Sequence, residues 1–196
     1  MTSGAAAVLV TAAMLEAASP TARPGPGAFL FATPDLGGSV FEATVVLLVA
    51  HDAQGSVGVI VNRPGRLSVA ETLECEAPEE ATVFFGGPVD VEGIVALLRT
   101  RSDPAVGHRA LEDVFFTLDR GAIEGALGRP DAAERVRVYA GYSGWGPGQL
   151  DGEIARGFWV MARASADDVF REDVSTLWER VYRLLGATEA RAAFAK

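Results

Sequence analysis

Ser143 is the first residue to test as a reacting group. It lies in Gly141-Tyr142-Ser143-Gly144-Trp145, one position short of the G-x-S-x-G turn that presents a serine nucleophile, because Trp145 stands where the last glycine belongs. That turn also needs a histidine after the serine, and both histidines, His51 and His108, precede it. The segment runs on as Gly146-Pro147-Gly148-Gln149, which falls short of the G-x-G-x-x-G phosphate-binding pattern. Asp151 and Glu153 follow at the start of the next helical stretch, where they would repel a phosphate. Cys75 sits in ETLECEAPEE, whose carboxylates favour the neutral thiol and make a poor nucleophile. The only lysine is Lys196, which removes internal Schiff-base, P-loop and kinase-type lysines together.

What remains supports recognition better than covalent chemistry. Arg63 offers a guanidinium for an anionic group, Gly86 and Gly87 offer backbone N–H donors, and Trp145 offers an apolar wall. Asn62, Tyr142, Ser143 and Gln149 complete the expected ligand-binding set, with no catalytic residue, metal or cofactor assigned. A second reading, from a different class, is an enzyme with Glu153 or Asp151 as base and Arg63 stabilising developing negative charge. A third places the function on the acidic segment 71–80, as a contact for a partner protein.

These groups depend on strands. Ala28 to Ala32 is a short apolar strand, and Thr44 to Ala50 and Ser56 to Val61 are apolar on both faces, which predicts a central hairpin with both faces covered. In such a hairpin His51 lies in the turn, while Asn62 and Arg63 leave from the other end. Val69 to Leu73 reads as a short helix, and Thr82 to Phe85, Ile94 to Leu98 and Val114 to Thr117 as strands, with a polar loop over Arg101 to His108. Arg120 to Leu127 has helical spacing and stops at Gly128. Arg135 to Ala140 alternates as RVRVYA, a strand with one polar face that leads into the expected glycine loop at 141 to 149. Gln149 to Arg156 is a helix, Phe158 to Ala162 a strand, and Ala166 to Phe170 and Asp173 to Leu185 are helices. The class is α+β, with a mixed, largely antiparallel sheet flanked by helices.

The totals bound the partners. The chain has 196 residues, 49% of them hydrophobic, enough for one core. Its net charge is −9, and between residues 65 and 92 seven carboxylates face Arg66 alone. Direct DNA binding is not expected, because no basic stripe is present to neutralise phosphates. One cysteine excludes an intrachain disulfide and suits a reducing compartment. One cysteine and two histidines are too few for a Cys/His zinc knuckle. The apolar run from Ala5 to Leu15 lacks a preceding Lys or Arg and is too short to span a bilayer. Residues 1–27 are therefore expected as an extension, a short helix or disordered, in a cytoplasmic protein without membrane attachment. The domain is expected over 28–186 and a tail over 187–196.

Five motifs occur in order: Ala32-Thr33-Pro34, the H-D-x-x-G-x-x-G from His51 to Gly58, Asn62-Arg63-Pro64, Gly86-Gly87-Pro88-Val89, and G-Y-S-G-W-G-P-G-Q-L from Gly141 to Leu150. Together they resemble the AlgH/YqgE family of bacteria. That resemblance implies an α+β fold with a bent, partly barrel-like sheet, a cytoplasmic setting and no established activity. Some members carry the label of transcriptional regulator, yet this chain has no helix-turn-helix signature or basic face. It departs from the family pattern at Ala50, where an acidic residue is usual, and at Arg99, where a histidine is usual. The departure at Arg99 sets aside any mechanism that needs that second histidine. The resemblance leaves the ligand open: a small anionic molecule or a protein partner.

Overall fold

The computed structural model describes residues 24–101 and 106–183. Most of the expected N-terminal extension, through residue 23, lies outside the described residues, as does the tail at 187–196. Ten strands form one sheet: β1 (Ala28–Ala32), β2 (Val45–Asp52), β3 (Gly55–Ile60), β4 (Pro64–Ser68), β5 (Thr82–Phe85), β6 (Val89–Arg99), β7 (His108–Leu111), β8 (Val114–Thr117), β9 (Val136–Trp145) and β10 (Trp159–Arg163). The helices are α1 (Val69–Leu73), α2 (Arg120–Leu127), α3 (Ala132–Arg135), α4 (Gln149–Ala155) and α5 (Ala166–Val169). Single 3-10 turns lie at Pro34–Leu36 and Val174–Thr176, and 177–183 is helical.

The main strand order is β10-β1-β2-β3-β9-β6-β8-β7. β9 is the spine. One edge pairs with β6 along Val136 to Tyr142, and the other pairs first with β5 (Phe84 opposite Tyr139) and then with β3 (Ser56 opposite Trp145). The β5–β9 pair is parallel and the others are antiparallel, so the sheet is mixed and largely antiparallel, as expected. It is open but bent: Ala110 of β7 joins the same core as Phe29 and Leu47, and an added Cβ on Gly27 would meet the Ala110 carbonyl at 3.0 Å.

Alternation explains the two-faced strands. Phe29, Phe31, Val45 and Leu47 point into a central core with Leu97, Phe116, Tyr139 and Leu177. Leu30, Val46, Leu48 and Ile60 point the other way, against Leu150 of α4 and Trp159. A third cluster packs Ile123 and Leu127 of α2 and Val69 and Leu73 of α1 onto Ala96, Leu98, Val136 and Val138. Each face therefore has its cover, and the hairpin strands are central.

Five features differ from the sequence reading, the first being that His51, expected in the hairpin turn, lies in β2 opposite Ser56, with only residues 53–54 turning. The glycine loop expected at 141–149 is strand through Trp145, and only 146–148 turn before α4. Part of the apparent loop composition comes from Gly141, whose backbone passes so close to β6 that a Cβ would sit 2.6 Å from the Gly87 carbonyl and 2.8 Å from that of Val89. β4 and β7, unassigned from sequence, are short strands each paired on one side, and the short helix α3 fills the connection before β9.

Candidate functional site

Asn62 and Arg63 leave β3 at the end opposite His51, as hairpin geometry requires, and both turn back onto the segment before β2. The Asn62 side chain accepts from the Val45 N–H at 2.8 Å and donates to the Ala43 carbonyl at 3.0 Å. Arg63 donates through Nη1 to the Val40 carbonyl at 2.7 Å and through Nη2 to the Glu42 carbonyl at 2.6 Å. Thr44 adds a bond from its hydroxyl to the Phe41 carbonyl. Between these anchors Ala43 adopts φ +53°, a left-handed conformation an alanine holds only when its surroundings impose it. Burial lowers the Arg63 pKa, opposed by nearby Glu42.

The clamp fixes Phe41. Its ring stacks on Trp145 with centroids 5.8 Å apart and meets Trp159 edge-on at 5.4 Å. Both indoles donate to one oxygen, Glu153 Oε2, at 2.9 Å each, and Gln149 Nε2 donates to Oε1 at 3.0 Å. Gln149 also accepts from the Gly146 N–H, closing the turn into α4. Glu153 is thus a hub for three donors. Beside it His51 Nδ1 lies 2.8 Å from the hydroxyl of buried Ser56, and Nε2 lies 3.7 Å from Asp151.

Gly86 and Gly87 meet Tyr142 and Ser143 as the sequence reading placed them, but as packed backbone. Ser143 is fully buried and donates to the Gly86 carbonyl, which also accepts from Ile60, while the Gly86 N–H donates to Ala140. An added Cβ on Gly86 would lie 3.0 Å from Tyr139 Cβ, and one on Gly87 would clash with Ser143 and Tyr142. Phe85 donates to the Arg63 carbonyl and so ties that arginine's backbone to the same seam. Tyr142, partly buried, packs on the central core. The eight expected ligand residues therefore fall into two groups joined by Phe41: a seam of Asn62, Arg63, Gly86, Gly87, Tyr142 and Ser143, and the Trp145–Gln149 corner.

A groove with a volume of about 520 Å³ opens elsewhere, between α3, the start of β9, the approach to β5 and the chain after α5. Pro64, Val69, Phe84, Leu127, Val138 and Phe170 supply apolar wall, and Arg137 lies among them. Arg137 donates to the carbonyls of Ala133 at 2.6 Å, Val136 at 3.1 Å and Phe170 at 2.9 Å, with its guanidinium 5.6 Å from the Phe170 ring centroid. It makes no ion pair with any described carboxylate. Burial lowers its pKa, with Tyr139 opposing. Sequence reasoning missed Arg137 because RVRVYA puts it on a face that looks polar; Tyr139, two residues on and wholly buried, was the signal that this face turns inward. Phe41 and Trp159 carried no signal of their own. Among the described residues no group of three or more His, Cys, Asp or Glu side chains is placed to hold a metal, and no helix is long and apolar enough to cross a membrane.

An open, bent α+β sheet held by a clamped loop and a tryptophan–glutamate hub defines the class, and comparison with known proteins gives it a family. The AlgH-like family pattern matches residues 29–190, and the chain belongs to that family. A UPF0301 protein of Methylococcus capsulatus is 35% identical over 167 residues, covering 82% of this chain and 91% of its own. One from Mycolicibacterium smegmatis is 38% identical over 168 residues, covering 82% and 83%. The solution structure of the AlgH protein from Pseudomonas aeruginosa superposes with a TM-score of 0.66 at 25% identity, covering 84% of this chain and 93% of that one.

Proposed function

We propose that the chain is a non-enzymatic binding module that recognises an anionic group, on a small ligand or a partner protein, through the groove at Arg137. One observation carries the reading: a partly buried guanidinium with no carboxylate partner among the described residues, set in an apolar groove. A buried cation without a counter-ion is costly, and an incoming anion offsets that cost. The hydrogen bonding of the motif residues supports a framework role for them. Arg63 and Arg137 both spend their terminal nitrogens on backbone carbonyls, and what sets Arg137 apart is its place in the lining of the groove; Glu153 accepts three N–H groups. A regulatory role would then run through the bound partner, since 17 basic side chains against 26 acidic ones disfavour direct nucleic-acid contact. The lone Cys75, raised in pKa by burial and then by Glu124, suits a reducing, cytoplasmic setting.

The test is thermal unfolding of the full chain with a panel of aliphatic and aromatic monocarboxylates and their uncharged amides. Acids should raise Tm progressively with the logarithm of their concentration, the stabilisation reaching about 2.7 kcal/mol at a hundredfold excess over Kd. Arg137→Lys should weaken the response. Equal shifts from acids and amides would refute the reading.

A further inference from the structure

Arg137 is one of five charges lining the groove, and their arrangement says more about the occupant. Glu80 lies before β5, Glu134 on α3 and Glu172 after α5, and all three are exposed and make no ion pair with a described cation. Arg171, the remaining charge, is taken up by Asp168 at 3.2 Å and Asp173 at 2.6 Å. The groove thus presents one cation that is bonded to three backbone carbonyls but has no ion pair among the described residues, set among apolar side chains, and three exposed carboxylates from three separate elements. A simple organic acid answers only the cation. Nucleic acid and anionic membrane surfaces answer the cation and are repelled by the carboxylates. A polypeptide end answers all of it: a carboxylate, an adjoining apolar side chain, and cations spaced along an extended chain.

We infer that the groove takes the carboxy-terminal end of a partner polypeptide, its free α-carboxylate on Arg137, its last apolar side chain against Phe84, Val138 and Phe170, and upstream Arg or Lys residues facing Glu80, Glu134 and Glu172. The inference rests on the anion reading above and adds the chemistry of the partner. Capture of a chain end by a guanidinium beside an apolar slot is an economical mode of peptide recognition, because one fixed group sets the register and the side chains set the choice. The volume, about 520 Å³, lies in the range of ligand pockets. The exposed glutamates contribute association rate and salt dependence more than affinity.

Fluorescence anisotropy with the full chain tests this, using labelled heptapeptides that carry three arginines upstream and Leu, Val or Phe at the end, each made as free acid and as amide. The free acids should bind about tenfold or more tighter than the amides, the scale of a lost charged hydrogen bond. Arg137→Lys should narrow that ratio. Because Arg137 also holds three backbone carbonyls, a second variant guards against misfolding: Glu80→Gln with Glu134→Gln and Glu172→Gln, all at the exposed rim, should weaken the free acids several-fold and flatten their salt dependence. Equal binding of acid and amide, or no effect of the triple change, overturns the inference. If monocarboxylates stabilise the fold while no peptide binds, the peptide inference falls and the anion reading stands; if neither binds, both fall.

Discussion

Replacing Arg63 by Met separates a framework role from a ligand role. The substitution keeps the length and apolar stem of the side chain and removes two hydrogen bonds, of 2.7 and 2.6 Å, to the carbonyls of Val40 and Glu42. A hydrogen bond to a charged group contributes about 1.5–3 kcal/mol when protected from water. Arg63 is only partly buried and Glu42 is exposed, so water recovers part of each bond. The expected loss is about 1–2 kcal/mol in all, or about 2–8 °C in Tm for a domain of this size. The optical readout is built in. Phe41 lies between the bonded carbonyls and against Trp145 and Trp159, two of the three tryptophans, so loosening the clamp should change their emission in the native baseline before global unfolding. Urea titrations at several wavelengths give stability and local order together, with an unchanged m-value expected. A loss below about 0.5 kcal/mol, well under the 1.5–3 kcal/mol of a protected charged bond, together with an unaltered native spectrum, would refute the clamp and return Arg63 to the list of ligand contacts.

Tyr139 and Asp173 give two further expectations. The Tyr139 hydroxyl is fully buried with no hydrogen-bond partner among the described residues, and burial drives its pKa far above that of an ordinary phenol. Tyr139→Phe should therefore stabilise the fold by about 1 kcal/mol in denaturant titration, and destabilisation would show that the hydroxyl is satisfied. The hydrogen bond from Arg171 holds the Asp173 carboxyl below its usual pKa, with Arg180 adding to the effect. A depressed folded-state pKa gives stability that is present above the unfolded value, about 3.9, and is lost as pH falls through the folded value. Because the side chain is 56% exposed, solvent screening keeps the effect well under 1 kcal/mol. Asp173→Asn should then differ from the parent at pH 6, with the gap closing by about pH 2 and in high salt; a gap independent of pH would refute it.

Much of the fold was legible because the pattern was local. Val69–Leu73, Thr82–Phe85, Val114–Thr117 and Arg120–Leu127 fall where apolar spacing puts them, and the hairpin pairs Val46 with Ile60 and Leu47 with Val59 as its two-faced strands demand. The failures came where tertiary contacts override local preference. Gly141 and Gly144 suggest a turn, yet they lie in a ten-residue strand whose neighbour approaches Gly141 too closely for a side chain. Pro64 and Gly65 hide β4, which tolerates them at a margin of the sheet. For the site, the sequence put Asn62 and Arg63 at the far end of the hairpin from His51, where the Phe85 N–H bonds the Arg63 carbonyl, because hairpin ends obey simple geometry. It gave no sign that the backbone of the preceding loop would use up the Arg63 donors, since carbonyl acceptors are present at every residue. Arg137 was hidden for the opposite reason: its value lies in a missing partner, and absence of a counter-charge is a property of three dimensions.

The position of β9 has a consequence for biosynthesis. The inner edge of β3 stays unpaired until residues 143–145 emerge, some 85 positions later. At about 5–20 residues per second that is roughly 4–17 s in which an apolar hairpin offers a free ladder to any neighbouring nascent chain. The outer edge of β1 waits longer still, for Trp159 to Arg163. Such non-local closure makes for slow folding, and it makes the first third of the polypeptide the stretch most in need of a chaperone's shelter at the ribosome.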